Sequence, residues 1–87
     1  EVLDFIKEIH KEGKVIAAIC HAGWVLASAG IVKGRKVTCV SAIKDDMINA
    51  GAKYFDKEVV VDDNIITSRM PADLPAFCRE IIRALSK

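Results

Sequence analysis

Two rhythms of apolar residues run along this chain, one helical and one continuous. Residues 1–12 place Val2, Leu3, Phe5, Ile6 and Ile9 broadly on one face, with Asp4, Lys7, Glu8 and Lys11 elsewhere, which predicts an amphipathic helix stopped by Gly13. Val15–Ile19 is apolar throughout without alternation, the pattern of a strand buried on both faces of a parallel sheet. Helical spacing returns over Ala22–Ala29 and ends at Gly30. A Gly34-Arg35-Lys36 turn leads into a short strand over Val37–Val40, and Ile43–Ala50 reads as a helix with Asp45 and Asp46 in its first turn and Gly51 after it. Val59–Val61 and Ile65–Thr67 read as strands joined by the turn signal Asp62-Asp63-Asn64. A last helix follows Pro71 and runs to about Leu85, with Pro75 in its first turn, where a missing N–H costs little.

The order α-β-α-β-α-β-β-α is that of a layered α/β fold. It reads as incomplete. The first helix lacks a preceding strand to complete a right-handed crossover, and Val15–Ile19 needs neighbours on both edges. The expectation is one domain's carboxyl-terminal part, residues 1–87, belonging to a larger α/β unit.

Chemistry enters at the end of the first strand. In Val15-Ile16-Ala17-Ala18-Ile19-Cys20-His21-Ala22-Gly23-Trp24 an apolar run stops at a thiol and turns directly into a helix, the layout of a nucleophile elbow. Such a turn pushes the sulfur out of the sheet edge, and a helix starting there favours thiolate over thiol. Ala18, Ala22 and Gly23 are small, as a close strand–helix passage requires. Cys20 is thus the candidate nucleophile and His21 its proton carrier. The structural alternatives are an inert buried thiol and an imidazole that only faces solvent. Cys39 and Cys78 fall inside strand and helix patterns and read as core, and His10 reads as a surface residue.

Composition narrows the classes. Thirteen basic against twelve acidic residues give a net charge of +1, with the charges interspersed and no basic face bearing aromatics, which argues against nucleic acid as a partner. No apolar stretch approaches a bilayer span, and no leader is visible, although the start at Glu1 suggests an absent upstream segment. Three widely spaced cysteines fit neither a disulfide framework nor zinc knuckles, and free thiols point to the cytoplasm. The carboxylate spacing fits no metal loop and no glycine-rich phosphate cradle exists, so neither metal nor cofactor is expected.

Ala18-Ile19-Cys20-His21, Gly34-Arg35-Lys36, Ile43-Lys44-Asp45-Asp46-Met47-Ile48-Asn49-Ala50-Gly51, Glu58-Val59-Val60-Val61-Asp62 and Ser68-Arg69-Met70-Pro71-Ala72-Asp73-Leu74 resemble the PfpI-type intracellular cysteine peptidases, in the carboxyl-terminal half of that family's domain. Their superfamily also holds deglycases, glyoxalases and redox chaperones. The resemblance implies a flavodoxin-like three-layer α/β/α sandwich with a mainly parallel sheet, a homo-oligomer, Cys20 as nucleophile and His21 as its partner. It also implies a glutamate beside the cysteine from the amino-terminal half and an acidic residue orienting the histidine from a neighbouring subunit, neither assignable in this chain. One departure stands out: Ala22-Gly23-Trp24 follows His21, where Gly-Pro-Gln is common among the peptidases, so Trp24 reshapes the pocket mouth and substrate preference does not carry over.

Arg69 has two readings. If Ile65–Thr67 runs parallel to Val15–Ile19, its carboxyl end shares a sheet edge with Cys20, and Arg69 contacts an anionic substrate group there; otherwise it forms a salt bridge or bonds nearby carbonyls. The expected function is a cysteine hydrolase acting on small peptides. The alternatives are a deglycase or glyoxalase using the same thiolate on aldehyde-type substrates, and a non-enzymatic thiol redox sensor or chaperone.

Overall fold

The computed structural model describes residues 2–86, and of Val2 the backbone alone. Helix α1 (Val2–Lys11) is amphipathic, with Leu3 and Ile6 packed against the core. Phe5 lies about 200° round the helix from Leu3 by the helical repeat, and is 65% exposed, so it leaves the face that the apolar pattern assigned it. Gly13 ends α1 with φ +76, its N–H bonded to the His10 carbonyl and that of Lys14 to Ile9, a Schellman closure that favours glycine. His10 is half-buried rather than at the surface, its Nδ1 sealed from solvent and without a partner among the described residues.

The remaining elements are β1 (Ile16–Ile19), α2 (Gly23–Ser28), β2 (Lys36–Val37), α3 (Lys44–Asn49), β3 (Lys53–Tyr54), β4 (Val59–Asp62), β5 (Ile65–Ser68) and α4 (Leu74–Leu85). Single 3₁₀ turns over Cys20–Ala22, Ser41–Ile43 and Pro71–Asp73 lead into α2, α3 and α4. The principal sheet has the order β1-β5-β4. β1 and β5 run parallel, and β4 and β5 form an antiparallel hairpin whose turn residue Asp63 takes φ +56. β2 and β3 form a second, parallel pair. The strand expected over Val37–Val40 shortens to Lys36–Val37 because the Thr38 amide leaves the ladder and donates to Thr67 Oγ1 at 2.9 Å.

The fold is α/β, with a core on each face of the sheet. On one face Ala18, Leu26, Val32, Val37, Ile43, Met47 and Ile65 form a continuous cluster beneath α1, α2 and α3. On the other, α4 packs against β4 and β5, burying Ile66, Ala76 and Phe77. Burying one such side chain fully contributes roughly 1.5–3 kcal/mol, so the two cores hold the short elements that could not persist alone. β5 is buried at all four positions, whereas β1 pairs with β5 alone among the described residues and leaves Ala17 exposed. Among the described residues the expectation of a strand covered on both sides is thus met by β5, while β1 keeps one edge without a partner strand.

Cys39 is core, 1% exposed, and burial pushes its thiol up against a smaller opposing effect of Lys44. Cys78 is not core. It is exposed on α4 in line with Leu74, Ile82 and Leu85, which also face outward, because Ala76 and Phe77 set the buried face of that helix. No helix among the described residues is long and apolar enough to cross a membrane.

Candidate active site

The elbow is built as the strand-to-helix transition requires. Ile19 is extended at φ −130 and ψ 151, Cys20 flips to φ +58, and the 3₁₀ turn then delivers the chain into α2. Only Cys20 and Asp63 take positive φ without being glycine among the described residues. The left-handed region costs an ordinary L-residue roughly 1–2 kcal/mol, so packing on both sides has to hold Cys20 there. The thiol is half-buried, neither sealed in the core nor fully in solvent. Amides that open a helical turn lack intrahelical acceptors, so the N–H groups at Cys20 and His21 are available as donors to a developing oxyanion.

Gly23 makes the turn compatible with α3. A Cβ there would meet Met47 Cε at 3.2 Å and Ile43 Cδ1 at 3.3 Å, so any side chain would have to push these side-chain ends back by a few tenths of an ångström. Directly outside this contact, Trp24 Nε1 donates to Asp46 Oδ2 at 2.6 Å. His21 is exposed and its ring meets the Trp24 indole with centroids 5.4 Å apart and planes at 57°. No hydrogen bond links His21 to a carboxylate among the described residues. Asp46 does lie in the first turn of α3, and its bond to Trp24 is a role that sequence reasoning missed. The contact joins residues 22 positions apart on different helices, and no periodicity encodes it.

Arg69 lies where the parallel pairing puts it. Ile19 is the register partner of Ser68, so Cys20 and Arg69 follow the carboxyl ends of neighbouring strands. Ser68 Oγ donates to the Glu58 carbonyl, which ties the end of β5 to the start of β4. The Arg69 guanidinium is engaged: Nε donates to Asp73 Oδ2 at 2.9 Å, Nη2 to Asp73 Oδ1 at 3.1 Å and Nη1 to Asp56 Oδ1 at 3.0 Å. These bonds hold Asp73, 5% exposed, below the usual carboxylate range against the opposing pull of its burial. They raise Arg69 further above its already high value. The structure thus brings Cys20, His21 and Trp24 together, sets Arg69 on the same sheet edge, and gives its planar fork a bidentate carboxylate partner.

The DJ-1/PfpI family matches residues 1–84. A deglycase of Pyrococcus furiosus, PfpI, is 47% identical over 85 residues, covering 98% of this chain and 51% of the relative. YraA of Bacillus subtilis, whose name assigns it provisionally to the cysteine proteases, is 46% identical over 82 residues, covering 94% of this chain and 48% of that protein. Among solved structures, a two-domain protein of Anabaena variabilis with DJ-1/ThiJ/PfpI-like and ferritin-like domains superposes with a TM-score of 0.94 at 43% identity, over 97% of this chain and 25% of its own. The chain spans about half the length of the curated relatives it matches. With the family matched over nearly every residue and the fold shared with its solved members, this chain belongs to the DJ-1/PfpI family.

Proposed function

We propose that the protein is a cysteine-dependent hydrolase in which Cys20 attacks a carbonyl carbon of a small peptide. The observation that carries this reading is the positive φ of Cys20 at the junction of β1 and the following turn. Backbone strain at a thiol that follows a strand end is a hallmark of sites held for chemistry. The attacking thiolate forms the C–S bond while the carbonyl π pair moves to oxygen, where the opening amides of the turn receive it. Collapse expels the amine, which takes its proton from the His21 imidazolium, and leaves a thioester. Water, giving a proton back to His21, then adds to the thioester and releases the carboxylic acid and the thiolate.

The same thiolate adds to an aldehyde to give a thiohemiacetal, and the deglycase names of relatives such as PfpI of Pyrococcus furiosus favour this as the second reading. Homo-oligomeric assembly and a cytoplasmic location belong to the proposal as well. Turnover of a fluorogenic peptide and of methylglyoxal, measured on wild type and Cys20→Ala, ranks the two readings. Loss of at least about a thousandfold in kcat/KM for the preferred substrate is expected; activity surviving the substitution rejects both. Iodoacetamide labelling at mildly acidic pH provides an independent check. Cys78 is as open to reagent as any surface thiol and Cys39 is not, so preferential labelling of Cys20 over Cys78 reads reactivity rather than access.

A further inference from the structure

We propose that Trp24, clamped by Asp46, is a positioning residue that holds the His21 imidazole; the inference rests on the hydrolase reading above. The His21 ring is exposed and has no hydrogen-bonded carboxylate among the described residues, and a carboxylate on one ring nitrogen would still leave the ring free to turn about that bond; a proton carrier that sweeps solvent spends little time in reach of the sulfur. The indole supplies a wall for the ring, 5.4 Å from the imidazole centroid and tilted by 57°, within the range of favourable aromatic pairs.

A tryptophan that is 47% exposed could itself swing away. Its Nε1–H is instead fixed by a short, charge-assisted bond to Asp46 Oδ2. Asp46 in turn cannot drift, because its neighbour Met47 is fully buried and lies against the bare face of Gly23, the residue before Trp24. Two adjacent contacts therefore join the same pair of helices: Gly23 to Met47 inside, and Trp24 to Asp46 outside. The inner one sets the spacing of α2 and α3, and the outer one converts that spacing into a fixed indole. The first turn of α3 thus acts on the elbow through a residue that touches His21, without itself reaching the reacting atoms.

The test reads the contact and the catalysis separately, in the full-length protein. Trp24 is the one tryptophan of the 87-residue sequence, and subtracting the emission of Trp24→Phe isolates its signal. In wild type, His21→Ala is expected to change the intensity of that emission. Asp46→Asn is expected to lower its anisotropy and to abolish its response to His21→Ala, a non-additivity that independent side chains would not show. With whichever of methylglyoxal and fluorogenic peptide the wild type turns over, Asp46→Asn lowers kcat about three- to tenfold, the range an aromatic pair of this kind supports, with KM within about twofold. Asp46→Glu, which keeps the carboxylate, recovers most of that loss, and Trp24→Phe, which keeps a ring but no N–H, falls between. Emission indifferent to His21 overturns the contact. Emission that responds while Asp46→Asn turns over at the wild-type rate overturns the positioning role and leaves a surface strut. Absence of any Cys20-dependent turnover in wild type overturns the hydrolase reading and the positioning role with it, while the emission still shows whether the contact exists.

Discussion

β1 and β5 lie side by side and parallel, in register to their last residues, yet their ends are built in opposite ways. β1 is followed by Cys20, whose backbone is in a costly conformation and whose neighbour His21 is exposed. β5 is followed by Arg69, whose guanidinium makes three hydrogen bonds to two carboxylates and whose partner Asp73 is buried. One end holds a half-buried thiol on a strained backbone beside an exposed imidazole. The other spends its charge on itself. At the β5 end one guanidinium ties Asp56 and Asp73 together, so a charged residue at the carboxyl end of a parallel strand also serves the frame.

Substitution at the β5 end tests this division most severely. Arg69→Met removes the cation and leaves the Asp73 carboxylate buried without its partner, a far costlier state than either a paired or a deleted charge. The expected result is the largest fall in melting temperature of any single change at the two strand ends, with turnover per folded molecule reduced far less than by Cys20→Ala. A variant that melts like wild type but loses binding of acidic peptides would instead assign Arg69 to the substrate. Acid melting gives the sign independently. Because Arg69 depresses Asp73 in the folded state, the stability from this pair is fully present above the ordinary aspartate range and is lost as pH falls through the depressed folded value. Wild-type and Arg69→Met melting curves should therefore converge as pH falls, and a constant gap down to strongly acidic pH would exclude the linkage.

How much of this was legible in the sequence follows the same line between local and distant causes. The apolar run before Cys20, the Asp62-Asp63-Asn64 turn and the glycine after α1 are local signals, and each appears in the structure where the pattern put it. β3 was not legible, because the two residues Lys53 and Tyr54 are too few to show any period. Cys78 was misassigned for a different reason. Along α4 the residues Leu74, Cys78, Ile82 and Leu85 are as apolar as Ala76, Phe77 and Ile81, and only the sheet beneath decides which stripe is covered. At the site, Cys20, His21 and the edge placement of Arg69 could be read from strand ends. The partners that decide their behaviour could not: Asp56 lies 13 residues from Arg69, and Asp46 lies 22 from Trp24.

The smallest effect is also the sharpest, since it inverts a familiar order. In regular structure glycine is less stable than alanine by roughly 0.5–1 kcal/mol, because the unfolded glycine has more freedom to lose. At φ +58 the order should reverse, as the alanine Cβ meets the backbone there and glycine has none. Cys20→Gly is expected to exceed Cys20→Ala in unfolding free energy by about 0.5–1 kcal/mol. In urea titrations this shows as a higher midpoint at unchanged slope. Both variants lack the sulfur, so the difference between them contains the backbone alone. An alanine variant as stable as the glycine one would mean that the turn at Cys20 is relaxed, and that the contrast between the two strand ends rests on exposure rather than on strain.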